Sequence, residues 1–143
     1  MSAADFLDTN VLVYALDAQG GAKRAVARKI LQTALGGDAM ISFQVVQETL
    51  HVIGRKFVQL AKPADCEAAL SEVLVPLWRI MPSAGLYARA LHLQQRYGYS
   101  FYDSLIIAAA LEGGCARLLS EDLQHGQVID TLRIENPFLA IET

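Results

Sequence analysis

A carboxylate, a hydroxyl and an amide stand together between two apolar segments near the start of the chain. In FLDTNVLVYAL, Asp8, Thr9 and Asn10 follow a bulky apolar pair, and apolar residues resume at Val11. Burial of a carboxylate is costly unless the group accepts hydrogen bonds or faces a cation. The trio therefore has either a helix-capping role or a cation-binding role.

Three further acidic residues also lie near the start of a predicted helix or the end of a predicted strand. Glu48 lies in the first turns of a predicted helix, Asp103 begins another in SFYDSLIIAAAL, and Asp122 follows a predicted strand in LLSEDLQHG. Helices that leave the carboxyl edge of a mostly parallel sheet begin near that edge, so all four carboxylates can reach one rim. Clustered anions repel unless a cation lies among them. Oxygen ligands, without a Cys or His cluster, favour Mg²⁺ or Mn²⁺ over Zn²⁺, and such ions suit phosphodiester hydrolysis.

The elements that must position these acids are short apolar strands alternating with helices. This alternation predicts a three-layer α/β/α fold with a central, mostly parallel sheet. Strands are predicted at residues 4–7, 39–43, 78–82, 117–120 and 132–136. Helices are predicted at 10–17, 22–37, 44–60, 64–75, 83–97 and 102–112.

Size, charge and apolar content restrict the class of protein. A chain of 143 residues is typical of one domain, and we expect a single domain over 1–143. The net charge of -3 gives no broad basic surface for a polyanion. No basic segment precedes Asp5, and the apolar run at 105–111 is too short to span a bilayer, so we expect a cytoplasmic protein without a membrane segment.

Four motifs, in order, resemble those of the PIN-domain nucleases, and in particular of the VapC-type ribonuclease toxins. They are FLDTNVLVYA, the Gln47-Glu48 pair on a helix, SFYDSLIIAAAL and LLSEDLQHG, and the resemblance covers essentially the whole chain. It implies a Mg²⁺-dependent endoribonuclease that acts on RNA, forms a homodimer and is inhibited by a cognate antitoxin. It also carries catalytic and metal-binding roles onto four residues and supporting roles onto two: Asp8, Glu48, Asp103 and Asp122, with Thr9 and Asn10 in support.

Several alternatives stay open at this level. Glu121 is adjacent to Asp122 and could face the metal instead, because side chains alternate at a strand end. Asp8 and Asp103 could each serve only as helix caps. The whole chain could be a non-catalytic, PIN-like module that binds RNA or protein.

Basic and aromatic residues supply candidates for substrate contact. The best candidates for phosphate contacts are Lys23, Arg24, Arg28, Lys29 and Arg55-Lys56, although a solvated helix face is the more frequent use of such residues. The aromatic residues of RYGYSFYD, 96–103, could stack on bases, although packing in the core is more frequent.

Overall fold

A central sheet of short strands forms the middle layer of the protein. The computed structural model describes residues 4–57, 59 and 62–142. Within that part, six strands lie in the order β3-β2-β1-β4-β6-β5. All neighbours are parallel except β5 and β6, which confirms the predicted, mostly parallel sheet. The strands are β1 (Asp5–Leu7), β2 (Ala39–Ser42), β3 (Trp78–Ile80), β4 (Arg117–Leu119), β5 (Val128–Ile129) and β6 (Leu132–Glu135).

The sheet is buried on both faces, as parallel sheets generally are. Phe6 and Leu7 point to opposite faces of β1, and both are fully buried. Ile41 of β2 and Leu118 of β4 are also fully buried beside them. The central strands therefore sit within the core, and only their ends reach the surface.

Helices cover both faces of this sheet. Two segments of wider, π-type turns extend helices, at Ala34–Asp38 and Leu70–Leu74. In the described residues, no helix is long and apolar enough to cross a membrane. The α-helices are α1 (Thr9–Leu16), α2 (Gly21–Thr33), α3 (Phe43–Lys56), α4 (Pro63–Ala69), α5 (Val75–Leu77), α6 (Ala84–Tyr97), α7 (Phe101–Glu112) and α8 (Leu139–Glu142).

Side-chain caps fix where the helices at the carboxyl edge begin. Asp8 directly follows β1 and accepts a hydrogen bond from the Thr9 backbone N–H at 2.7 Å. Ser42 ends β2 and accepts from Val45 N–H at 3.4 Å, and Ser100 accepts from Asp103 N–H at 3.1 Å. Because α1 and α3 start immediately where their strands stop, their first turns are held at one edge of the sheet.

Several details differ from the sequence-based prediction, among them the wider turns inside the helix predicted at 64–75 and the short helix α8, which was not predicted. The helix predicted at 44–60 ends at Lys56, because Phe57 has extended backbone angles; residues 58 and 60 lie outside the described part. The helix predicted at 22–37 keeps α-geometry only to Thr33, and Gly37 turns the chain at φ 129°. Strand β5 was not predicted, because two residues are too short to show strand alternation.

Close packing between the end of α7 and β2 gives a test of this fold. A Cβ atom on Gly113 would overlap with the side chain of buried Met40, so we expect Gly113→Ala to destabilise the protein by about 1–3 kcal/mol. Gly85→Ala is the matched control, because Gly85 is helical, exposed and without neighbours within 4 Å of an added Cβ. Urea unfolding measures both free energies, and a Gly113→Ala variant as stable as wild type would contradict this packing.

Candidate active site

The four acidic residues selected from the sequence line one cleft at the carboxyl edge of the sheet. The cleft has a volume of about 290 Å³ and is open to solvent. Asp8 comes from the β1–α1 junction, Glu48 from α3, Asp103 from α7, and Asp122 from the turn after β4. The other lining residues are Thr9, Asn10, Val13, Gln44, Val52, Lys56, Tyr102 and Ile106.

Asp8 is the buried member of this group, with 9% of its surface exposed. One carboxylate oxygen accepts from Thr9 N–H, and the other accepts from the Ser120 hydroxyl at 2.6 Å. The pKa of Asp8 is raised to about 6, chiefly by burial and to a smaller extent by the charges of Asp122 and Asp103, against the opposing effect of these hydrogen bonds. Asp8 is therefore a helix cap and a member of the anionic cluster at once.

Glu48 and Asp103 face the cleft from two different helices. Burial raises the pKa of Glu48, followed by the charge of Asp8; the charge of Asp103 also raises it, and a hydrogen bond from Gln44 lowers it. Asp103 raises the pKa of both Asp8 and Glu48. The carboxylates thus repel one another across a shared space, as expected for a site that has room for a cation.

In the turn after β4, the side chains of the adjacent acids Glu121 and Asp122 point to different partners. The Asn10 amide donates to Asp122 Oδ2 at 3.3 Å, and Asn10 Oδ1 accepts from Glu121 N–H at 3.2 Å. Glu121 instead accepts from Tyr14 Oη at 2.5 Å and from Lys23 Nζ at 2.6 Å. Asp122 therefore lines the carboxylate cleft, while Glu121 is neutralised by Lys23 at the side of α1.

Sequence reasoning missed or underrated several residues of the cleft. Ser120 is fully buried and binds Asp8, and its place directly after β4 was a usable signal. Lys56 was one of several basic candidates, and it lines the cleft. Lys29 lines a separate groove instead, together with other residues of α2 and with residues of β1 and β4. Tyr102, the most exposed aromatic residue of the 96–103 run, also lines the cleft.

The chemistry of the lining residues fits a hard divalent cation. The acidic groups offer only oxygen ligands, which Mg²⁺ and Mn²⁺ prefer. The hydroxyl oxygen of Thr9 is buried beside Asp8 and has no hydrogen-bond partner in the described residues. However, no group of three or more His, Cys, Asp or Glu side chains in the described part is arranged to hold an ion directly. Side chains must turn toward an ion, or reach it through water.

The raised pKa of Asp8 predicts a pH-dependent stability in the absence of divalent ions. Protonation of Asp8 stabilises the folded protein relative to its anionic form. This contribution to the free energy of unfolding is fully present below pH 3.8, the ordinary pKa of the group, and is lost as the pH rises through about 6. The difference between the two pKa values corresponds to a loss of about 3 kcal/mol in the free energy of unfolding, at ~1.36 kcal/mol per pKa unit. In EDTA we therefore expect Asp8→Asn, which keeps a capping side chain, to be more stable than wild type above pH 7.

Urea unfolding between pH 4 and pH 8 measures this difference. Asp130→Asn is the control, because Asp130 is exposed and its φ of 53° is one that Asn tolerates. An Asp8→Asn variant that is less stable than wild type at every pH would show that the capping role alone explains Asp8.

The fold can be compared with those of known structures. No curated protein matches the sequence significantly. Mycobacterium tuberculosis VapC20, a Sarcin-Ricin loop cleaving toxin, aligns with a TM-score of 0.65 and 23% identity over 83% of this chain and 90% of that one. A toxin–antitoxin complex from Klebsiella pneumoniae aligns with a TM-score of 0.67 and 21% identity over 94% and 98%. VapBC2 from Rickettsia felis, bound to a promoter DNA fragment, gives 0.66 and 19% over 93% and 98%.

These structural likenesses establish a shared fold. The PIN domain family model matches residues 6–129, a span that runs from β1 through β5 and includes every acid that lines the cleft. Because this match covers most of the chain, the protein belongs to the PIN domain family.

Proposed function

We propose that this protein is a Mg²⁺-dependent endoribonuclease, the toxin of a type II toxin–antitoxin pair, with Mn²⁺ as an alternative ion. The observation that carries the proposal is the cleft in which Asp8, Glu48, Asp103 and Asp122 meet. Membership of the PIN domain family and the likeness to a VapC toxin and to toxin–antitoxin complexes support it.

The four carboxylates would hold the ion, directly or through water, with Thr9 and Asn10 in support. When bound, a hard divalent ion polarises a phosphoryl oxygen and activates water for attack on a phosphodiester. Asp8 is fixed by Thr9 and Ser120 and so provides the rigid ligand. Asn10 holds Asp122 on the side of the cleft nearest α1.

Glu48 is the acid best suited to handle the attacking water. Its side chain on α3 is partly buried but still reaches solvent, and its raised pKa makes it a stronger base than an ordinary carboxylate. Glu48 would accept a hydrogen bond from the attacking water, which would orient that water. Glu48 would then take up the proton of the water. Glu48 therefore acts either as this base or as an additional ligand of the ion.

RNA is anionic, so binding it at such an acidic cleft requires a positively charged side chain nearby. Lys56 lines the carboxylate cleft and also the neighbouring cleft that reaches Tyr14 and Phe57, so it lies between the two. We propose that Lys56 binds a phosphate next to the cleaved bond. We also propose that Tyr102 stacks on a base, which its exposure of 67% supports.

We propose that the protein acts in the cytoplasm, where it forms a homodimer and binds a cognate antitoxin. The solved toxin–antitoxin complexes with this fold support an antitoxin partner. Tyr87 and Leu91 lie one turn apart on α6, with 39% and 57% of their surfaces exposed, and supply an apolar face for self-association.

Cleavage of RNA by the purified protein tests the central proposal. We expect cleavage in Mg²⁺ or Mn²⁺, none in EDTA, and a loss of at least about 100-fold in Asp8→Asn and Asp103→Asn, because each removes a charge that the ion requires. Asp130→Asn, which changes an exposed acid that does not line the cleft, should cleave like wild type. Gel analysis of a structured RNA measures each rate.

The outcomes distinguish the proposal from its alternative. If wild type retains RNA on a filter but cleaves none of it in either ion, the protein is a non-catalytic PIN-like binding module. If Asp8→Asn cleaves as well as wild type, the acidic cleft is not the active site.

The phosphate contact of Lys56 has its own prediction. Lys56→Ala should raise KM by about 10- to 100-fold, corresponding to the ~1.5–3 kcal/mol of a hydrogen bond to a charged group, with a smaller effect on kcat. Its KM should also depend less on salt concentration, because one ionic contact is lost. Lys29→Ala is the control, because Lys29 lines a separate groove and not the cleft. Equal KM values for Lys56→Ala and wild type would refute the contact.

A further inference from the structure

Gln44 is a buried amide in the wall of the carboxylate cleft, and the chemistry proposed above does not use it. It lies in the first turn of α3, lines the cleft, and has only 4% of its surface exposed. Its Nε2 donates a hydrogen bond to the backbone oxygen of Tyr102 at 3.1 Å. Tyr102 directly precedes Asp103 on α7, so this bond joins α3 to the backbone that carries one of the acids.

The Gln44 side chain also lies beside one of the cleft acids, Glu48. Glu48 follows Gln44 by one turn of α3, on the same side of the helix. The Gln44 side chain donates toward the Glu48 carboxylate. A primary amide has two N–H groups, so one side chain can serve the Tyr102 carbonyl and the Glu48 carboxylate together.

The orientation of the amide follows from these partners. A carbonyl oxygen only accepts hydrogen bonds, so the nitrogen of Gln44 must face Tyr102 and the amide oxygen must point away from it. That amide oxygen, Oε1, is buried and has no hydrogen-bond partner among the described residues.

An unpartnered buried acceptor destabilises a fold, and an apolar side chain of similar size would avoid this penalty. Packing alone therefore does not account for a glutamine here, beside the buried apolar residues Val45 and Val46. The hydrogen bond to the Tyr102 carbonyl does account for it, because it ties α3 to the backbone next to Asp103, while the same side chain lies beside Glu48.

We propose that Gln44 is a positioning residue that fixes the first turn of α7, and hence Asp103, relative to Glu48, and thereby sets the affinity of the cleft for a divalent cation. The proposal rests on the proposed function in one respect, which is that the cleft binds such an ion. Residues that orient metal ligands through hydrogen bonds typically change metal affinity by about 10- to 100-fold when they are replaced.

Equilibrium binding of Mn²⁺ without RNA tests this proposal and does not depend on catalysis. Gln44→Met keeps the length of the side chain and removes its donors, and we expect its Kd for Mn²⁺ to rise by about 10- to 100-fold. Gln47→Met is the matched control, because Gln47 lies on the same helix, is exposed and does not line the cleft. Its Kd should stay within about twofold of wild type.

Thermal unfolding in EDTA separates positioning from a purely structural role. We expect the Tm of Gln44→Met to equal or exceed that of wild type, because the unpartnered oxygen is removed as well. A lower Tm with an unchanged Mn²⁺ affinity would assign Gln44 to the fold alone and overturn the proposal. Gln44→Ala, which also lacks the donors, should show the same loss of affinity, so the proposal does not depend on one variant.

The failure of this proposal can be distinguished from the failure of the proposed function. Saturable Mn²⁺ binding by wild type with an equal Kd for Gln44→Met overturns the positioning role and leaves the metal site standing. A wild-type protein that shows no saturable Mn²⁺ binding overturns both.

Discussion

The burial of the Asp8 carboxylate beside other acids is the constraint on which the site depends. Asp8 is held in place from two sides, by the first turn of α1 and by Ser120, and cannot move away from the charges of Asp103 and Asp122. Its pKa of about 6 means that, near neutral pH, the folded protein holds an anion that its surroundings do not favour. A divalent cation in the cleft would remove this strain and become part of the stable structure.

The fold supplies this arrangement through residues that have structural and chemical roles together. Asp8 caps a helix and faces the cleft, and Asn10 fastens the turn after β4 while directing Asp122. Tyr14 and Lys23 hold Glu121 to the side, so that the turn contributes one acid to the cleft and a neutralised acid beside it. The cleft thus keeps its excess negative charge on acids that line a single space.

The sequence predicted the layers of the fold and the acids at its edge, because both follow from local patterns. Apolar strands alternate with helices, and acids stand at the positions where strands end or helices begin. Other features depend on distant partners. The choice between Glu121 and Asp122 is made by Tyr14, 107 positions away from Glu121 in the chain. Gln44 resembles any polar residue at a helix start until its contact with Tyr102 is known. Strand β5 has two residues and exists only through its pairing with β6.

Anomalous diffraction from crystals soaked in Mn²⁺ tests the central claim most directly, because it locates the ion without any assumption about the substrate. The account predicts one or two peaks in the cleft, each about 2.0–2.6 Å from a carboxylate oxygen, with Asp8 among the ligands. A cleft without a peak at saturating Mn²⁺, or peaks only at other acids on the surface, would contradict it.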